Sequence, residues 1–236
     1  YAEAHNNMGN SFKEQSRLEE AIESYKKALA IKPDYAEAYY NMGNAFREQG
    51  KLEEVREAYS KALAIKPDYA EAHNNMGNVL KDQGKFKEAM VSFEKALSLK
   101  HDYAEPYFNI GDALYENGKL EKAVEAYIRA LSIKPANVYR AQKLHVQAHM
   151  CDWLAMNEDL ASLKALGIDG QAVSPFQVFS LEDVPERHQL RSELYARENF
   201  RQKPLPLPGI PSRKPDKLRI GYFSADYGEH PVAYLI

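Results

Sequence analysis

YAEAYYNMGNAFREQGKLEEVREAYSKALAIKPD, residues Tyr35–Asp68, decides the fold, because the chain says it four times. The phrase precedes itself at Tyr1–Asp34 and follows at Tyr69–Asp102 and Tyr103–Ala136, each copy 34 residues long without insertion or deletion. Tyr39, Met42 and Phe46, then Val55, Tyr59, Ala62 and Leu63, fall at the i, i+3/i+4, i+7 spacing of two amphipathic helices. Two such helices at a fixed period of 34 mean stacked helical hairpins. Each hairpin buries its apolar face against its neighbours, so the array is a solenoid that presents a surface rather than enclosing a globular core.

Small residues and breakers fall where that reading needs them. Gly9, Gly43, Gly77 and Gly111 recur in the first helix, where a side chain would hold paired helices apart, and Ala28, Ala62, Ala96 and Ala130 do the same in the second. Gly50, Gly84 and Gly118 are placed to end the first helix at positive φ. Lys-Pro at 32–33, 66–67 and 134–135 closes the second, because proline disfavours helix in the residue before it. These positions resemble the tetratricopeptide (TPR) repeat in all four copies. Ser16 in place of the turn glycine and His101 in place of the closing proline are minor departures.

A polar ladder runs through the same helices. Asn7, Asn41, Asn75 and Asn109 hold one position of the first helix, and Asn10, Asn44, Asn78 and Asp112 a second. Asparagine is a mediocre helix former, so its recurrence mid-helix needs a reason. One reason is ligand binding: on the concave face of a superhelix, a row of primary amides can hold a peptide backbone without reading its side chains. The other is internal, with the amides bonding neighbouring segments or simply copied by duplication. The residues alone leave both open.

Other chemistry is thin. With 31 Lys and Arg against 34 Asp and Glu, the net charge of −3 gives no reason to expect a nucleic-acid or anionic-membrane partner. The single cysteine, Cys151, excludes an intrachain disulfide and a cysteine-based zinc site, in keeping with a cytoplasmic setting. No apolar run approaches the roughly 18–20 residues of a spanning helix, and the start has no signal-peptide pattern. His5 and His73 share a packing position with Tyr39 and Tyr107. His145 and His149 are four apart on a helical stretch, but the sequence shows no third ligand, so no metal is expected. Lys13, Arg47 and Lys81 read as solvated face charges.

After the repeats, residues 137–199 keep helical spacing without the period and read as capping helices and a helical linker, with Asp183 a candidate helix cap. Residues 200–217 form a proline-rich basic connector. Residues 218–236 change class: Leu218–Phe223 reads as a strand, and Ser224–Pro231 as the polar loop after it, the opening of an α/β domain. The expected fold is therefore an all-α TPR right-handed superhelix with a helical cap, followed by the first strand and loop of a truncated α/β domain. Because the chain opens mid-phrase at Tyr1 and stops at Ile236 inside an apolar segment, it reads as a fragment of a longer protein.

In order, the repeats, Cys151-Asp152-Trp153, Ser174-Pro175-Phe176 leading to a helix, and Ser-Ala-Asp-Tyr-Gly-Glu-His-Pro at 224–231 resemble the O-linked N-acetylglucosamine transferase family, including its bacterial and SPINDLY-like members. The resemblance implies a GT-B catalytic region behind the superhelix. It implies metal-independent, inverting transfer of a sugar from a nucleotide donor, UDP-GlcNAc by preference, to Ser or Thr hydroxyls of acceptor proteins. His230 matches the family's histidine beside the sugar and acceptor, where an imidazole could act as a general base. The asparagine ladder matches the family's acceptor-peptide face. Most of the catalytic region is missing, so the 236 residues are expected to bind protein segments, to need no cofactor and to transfer nothing. The competing reading is a non-catalytic TPR adaptor. A chaperone-tail clamp is disfavoured because Asn6, Tyr40, Asn74 and Phe108 put no basic residue at the position it needs. An oligomer is left open.

Overall fold

Eight helices of near-constant length build the repeats: α1 (Ala2–Glu14), α2 (Leu18–Ile31), α3 (Ala36–Glu48), α4 (Leu52–Ile65), α5 (Ala70–Asp82), α6 (Phe86–Leu99), α7 (Ala104–Glu116) and α8 (Leu120–Ile133). Odd and even helices pair as hairpins, and each even helix also packs on the next odd one. The computed structural model describes residues 1–199 (backbone alone for Glu158), which form one compact unit, all-α and solenoid-like, without a strand among them. The strand and loop expected at 218–236, the connector at 200–217 and His230 lie outside the described residues.

The pairing of each hairpin centres on one ring. Tyr25, Tyr59, Phe93 and Tyr127 on the even helices are wholly buried. Their rings lie over Gly9, Gly43, Gly77 and Gly111, where a Cβ would come within 3 Å of ring carbons. Burying one such side chain contributes about 2–3 kcal/mol. The ion pairs that join the two ends of one repeat, Lys66–Glu37 at 3.6 Å, Lys100–Glu71 at 3.5 Å and Lys134–Glu105 at 3.3 Å, are solvent-exposed and worth well under that. Ring burial dominates.

The hairpin turn is one motif used five times. Gly50 N–H bonds Arg47 O at 3.0 Å, and Lys51 N–H reaches back to Phe46 O at 3.0 Å. Gly50, Gly84 and Gly118 take φ of +72°, +72° and +70° to close it. Ser16 closes the first turn at +61° with a side chain in place. The fifth closure is Cys151 at +55°, with the same bonds from Cys151 N–H to Ala148 O and from Asp152 N–H to Gln147 O.

A fifth helical hairpin therefore follows the four repeats: α9 (Asn137–His149), the Cys151 turn, and α10 (Trp153–Leu160), whose first turn is capped by Asp152 accepting from Ala155 N–H at 3.3 Å. Its turn comes 33 residues after Gly118 instead of 34, which is why the period looks broken at Asn137. Below it, Ala141, Leu144, Met156, Leu163, Leu166, Val173 and Val178 form a separate core. Over that core lies α11 (Pro185–Asn199). The residue flanking its start is Val184, so Asp183 stands one position too early to be the cap. The helix opens instead on Pro185, whose fixed φ suits a first turn and whose missing N–H needs no acceptor.

Arg191 of α11 is fully buried beneath these elements. Its Nε donates to Leu166 O at 2.8 Å and its Nη2 to Leu163 O at 2.6 Å, while Nη1 pairs with Glu182. Burial alone would raise the Glu182 carboxyl, but the Arg187 and Arg191 guanidiniums hold it below the usual range. One cation thus ties the ends of three segments.

Candidate functional site: an asparagine ladder along the first helices

The ladder residues sit on α1, α3, α5 and α7, and the structure joins them from repeat to repeat. Asn41 Nδ2 donates to Asn6 Oδ1 at 3.1 Å, Asn75 Nδ2 to the Tyr40 hydroxyl at 3.1 Å, and Asn109 Nδ2 to Asn74 Oδ1 at 2.9 Å. Each bond spans 35 residues, from one rung to the residue just before the rung of the preceding repeat. The acceptor alternates as amide, phenol, amide.

The four rungs are not equivalent. Asn75 is 8% exposed, and its amide faces three acceptors: Tyr40, Asn44 Oδ1 at 3.1 Å and the Tyr59 hydroxyl at 3.5 Å. Its own oxygen accepts from Asn74 at 3.4 Å. An amide has two donors and one acceptor group, so Asn75 is saturated by the protein. Asn41 and Asn109 are half-buried and each spends one N–H, leaving a second N–H and the carbonyl oxygen. Asn7 is exposed, and only its backbone oxygen is engaged, by Ser11.

The second rank is built from below. Tyr25 donates its hydroxyl to Asn10 at 2.8 Å, Tyr59 to Asn44 at 2.7 Å and Tyr127 to Asp112 at 2.8 Å. In the third repeat Phe93 takes the tyrosine's place and offers Asn78 nothing. Burial pushes the Tyr25 and Tyr59 hydroxyls up to about 12, so they remain donors at any ordinary pH. Asp112 is the odd member. Burial raises its carboxyl to about 6, against the pull of the Tyr127 hydroxyl and Lys81 and with the push of Glu116.

The charges beside the ladder pair across repeats as well, Lys13 with Glu48 at 3.8 Å and Lys81 with Glu116 at 2.9 Å. At the last junction the pattern turns aromatic: the Tyr115 hydroxyl stands 3.0 Å from His149 Nδ1 and 3.3 Å from His145 Nε2. His73 Nε2 lies 2.9 Å from Pro67 O, which makes it a turn contact. The sequence signals for this network were the tyrosines fifteen residues after each second-rank position, with Phe93 the exception. Among the described residues no group of three or more His, Cys, Asp or Glu side chains is placed to hold a metal ion, and no helix is long and apolar enough to cross a membrane.

Five stacked hairpins, a glycine under each buried ring of the first four and a polar ladder along their first helices define a helical-repeat protein. Models of the TPR repeat match residues 9–46, 43–84 and 77–118, and a tetratricopeptide repeat model matches 104–137. Together they cover more than half of the 236 residues, and the chain belongs to the tetratricopeptide-repeat family. No curated protein matches it. Among solved structures, PilF of Pseudomonas aeruginosa is similar at 20% identity over 84% of this chain and 91% of its own, with a TM-score of 0.68. MamA (41-end) of Desulfovibrio magneticus RS-1 is 22% identical over 72% of this chain and 97% of its own, with a TM-score of 0.63. YrrB, described as a TPR protein with an unusual peptide-binding site, is 22% identical over 84% and 92%, with a TM-score of 0.56. At these identities the likeness is one of fold.

Proposed function

We propose that residues 1–199 are a protein-interaction scaffold that holds an extended peptide along the concave face lined by the first helices. The carrying observation is the unspent amide capacity of Asn7, Asn41 and Asn109, three rungs of one ladder with donors and acceptors to offer a main chain. Asn75, the fourth rung, supports the neighbouring repeats and shapes the floor between them. Main-chain recognition of this kind gives affinity with little sequence preference. The peptide-binding site of YrrB, a protein of similar fold, points the same way.

The test is titration of the isotope-labelled chain with unstructured Ser/Thr-rich peptides, read at the side-chain amides. Shifts at Asn7, Asn41 and Asn109, with Asn75 still, support the reading. The triple variant Asn7→Ala/Asn41→Ala/Asn109→Ala then loses binding. Peptide binding that leaves these three resonances unmoved overturns it.

A second reading places this scaffold in a protein O-glycosyltransferase, delivering Ser/Thr acceptors to a catalytic region with UDP-GlcNAc as donor. Its support is sequence resemblance: Cys151-Asp152-Trp153, Ser174-Pro175-Phe176 and the 224–231 segment with His230 as candidate base. The family and structural matches are to repeats, and they favour the scaffold over the transferase. Intact-mass measurement on the full-length protein, with UDP-GlcNAc and GDP-fucose offered separately, decides it. Mass gain from one donor, lost in His230→Ala, supports transfer; no gain from either removes it.

A further inference from the structure

We infer that Tyr115, His145 and His149 form a binding site for a divalent transition-metal ion at the junction of the fourth repeat and the fifth hairpin. The two histidines lie one turn apart on α9, and the tyrosine comes from the end of α7. His145 Nε2 and His149 Nδ1 converge on one atom, the Tyr115 oxygen, at 3.3 and 3.0 Å. Their rings are 4.4 Å apart between centroids. With metal–nitrogen bonds near 2.0–2.1 Å, neighbouring corners of a tetrahedral ligand set are about 3.3 Å apart, close to the two separations found here. Both separations to the Tyr115 oxygen are therefore those of neighbouring corners in a ligand set.

The surroundings fit the same chemistry. His149 is exposed and gives an entry path. Two imidazoles and a phenol oxygen suit the Zn(II), Ni(II) and Cu(II) end of the series, with water at the remaining corner. The third donor is a tyrosine contributed by the preceding repeat, so the site is not one of three His, Cys, Asp or Glu side chains. The ion would link α7 to α9 where earlier repeats use Lys–Glu pairs.

The experiment uses the untagged chain and ZnCl2 alone, followed by calorimetry and thermal melting. The expected result is one Zn2+ per chain and a rise in Tm that EDTA reverses. His145→Ala and His149→Ala each weaken binding by more than about tenfold, and Tyr115→Phe weakens it less. Because a variant could fold poorly, Co2+ is also added to the wild-type protein. Paramagnetic broadening should centre on the His145 and His149 ring protons and spare His5, His73 and His101. Absence of saturable Zn2+ binding, or binding equal in the His145→Ala/His149→Ala double variant, overturns the site. So does broadening centred on other histidines.

Discussion

Gly43 lies so close under the ring of Tyr59 that a Cβ on the glycine would stand 2.6 Å from ring Cε1. The ring is wholly buried and its hydroxyl is bonded to Asn44, so it has nowhere to retreat. Gly43→Ala should therefore destabilise by about 1–3 kcal/mol through overpacking. Gly50→Ala meets no atom within 4 Å, yet should still cost about 1 kcal/mol because φ there is +72°. Urea denaturation of the two variants checks both. Equal, negligible costs would mean that the hairpins are not locked by this contact.

The two kinds of rung separate cleanly by substitution. Asn75→Ala takes the donor from the Tyr40 and Tyr59 oxygens, leaves Asn44 with the Tyr59 hydroxyl alone, and should cost about 1–3 kcal/mol. Asn41→Ala breaks one half-buried bond and should cost about 0.5–1.5 kcal/mol. Peptide affinity should move in the opposite order, falling in Asn41→Ala and holding in Asn75→Ala at temperatures where the variant stays folded. Anisotropy and chemical denaturation on the same samples read both quantities.

Asp112 makes stability fall as the pH rises through the acid range. Its folded carboxyl titrates near 6, above the ordinary 3.8, so below pH 4 both states are protonated and nothing is lost. Between about 4 and 6 the unfolded chain ionises first and the native state is penalised, by about 1–3 kcal/mol at pH 7. Asp112→Asn, the residue of the other three repeats, should abolish this slope and be more stable than the wild type at pH 7. Parallel denaturation series at pH 4, 5, 6 and 7 give the answer. A wild-type curve that does not differ from the variant's refutes it.

Arg191 holds the region after the repeats. Arg191→Ala leaves the Leu163 and Leu166 carbonyls bare and Glu182 with Arg187 alone, and should cost about 3–5 kcal/mol. The loss should be local: amides of 160–199 lose hydrogen-exchange protection while those of α1–α8 keep theirs. A single cooperative loss across the chain would show that the two regions melt as one.

The repeats were legible because period, glycine and alanine positions, and turn signals all agreed in register, with only Ser16 and His101 departing. The fifth hairpin was not, since its turn arrives one residue early and Cys151 stands where glycine was expected. The ladder was visible as a row, but its division was not. Asn75 is saturated because Tyr40, Asn44 and Tyr59 surround it, a fact of which side chains meet between repeats. Spacing within one helix does not encode that. The same holds for Tyr115, which joins two histidines 30 and 34 residues away.

Of the five turns, the first and the last carry a β-carbon in the left-handed region, at Ser16 and Cys151, while the three between them use glycine. Left-handed backbone costs an ordinary residue about 1–2 kcal/mol. Under pulling force or limited protease, the described chain should unravel from its outer hairpins inward. The glycine-turned middle would survive as the last folded remnant, a stable kernel with dispensable margins.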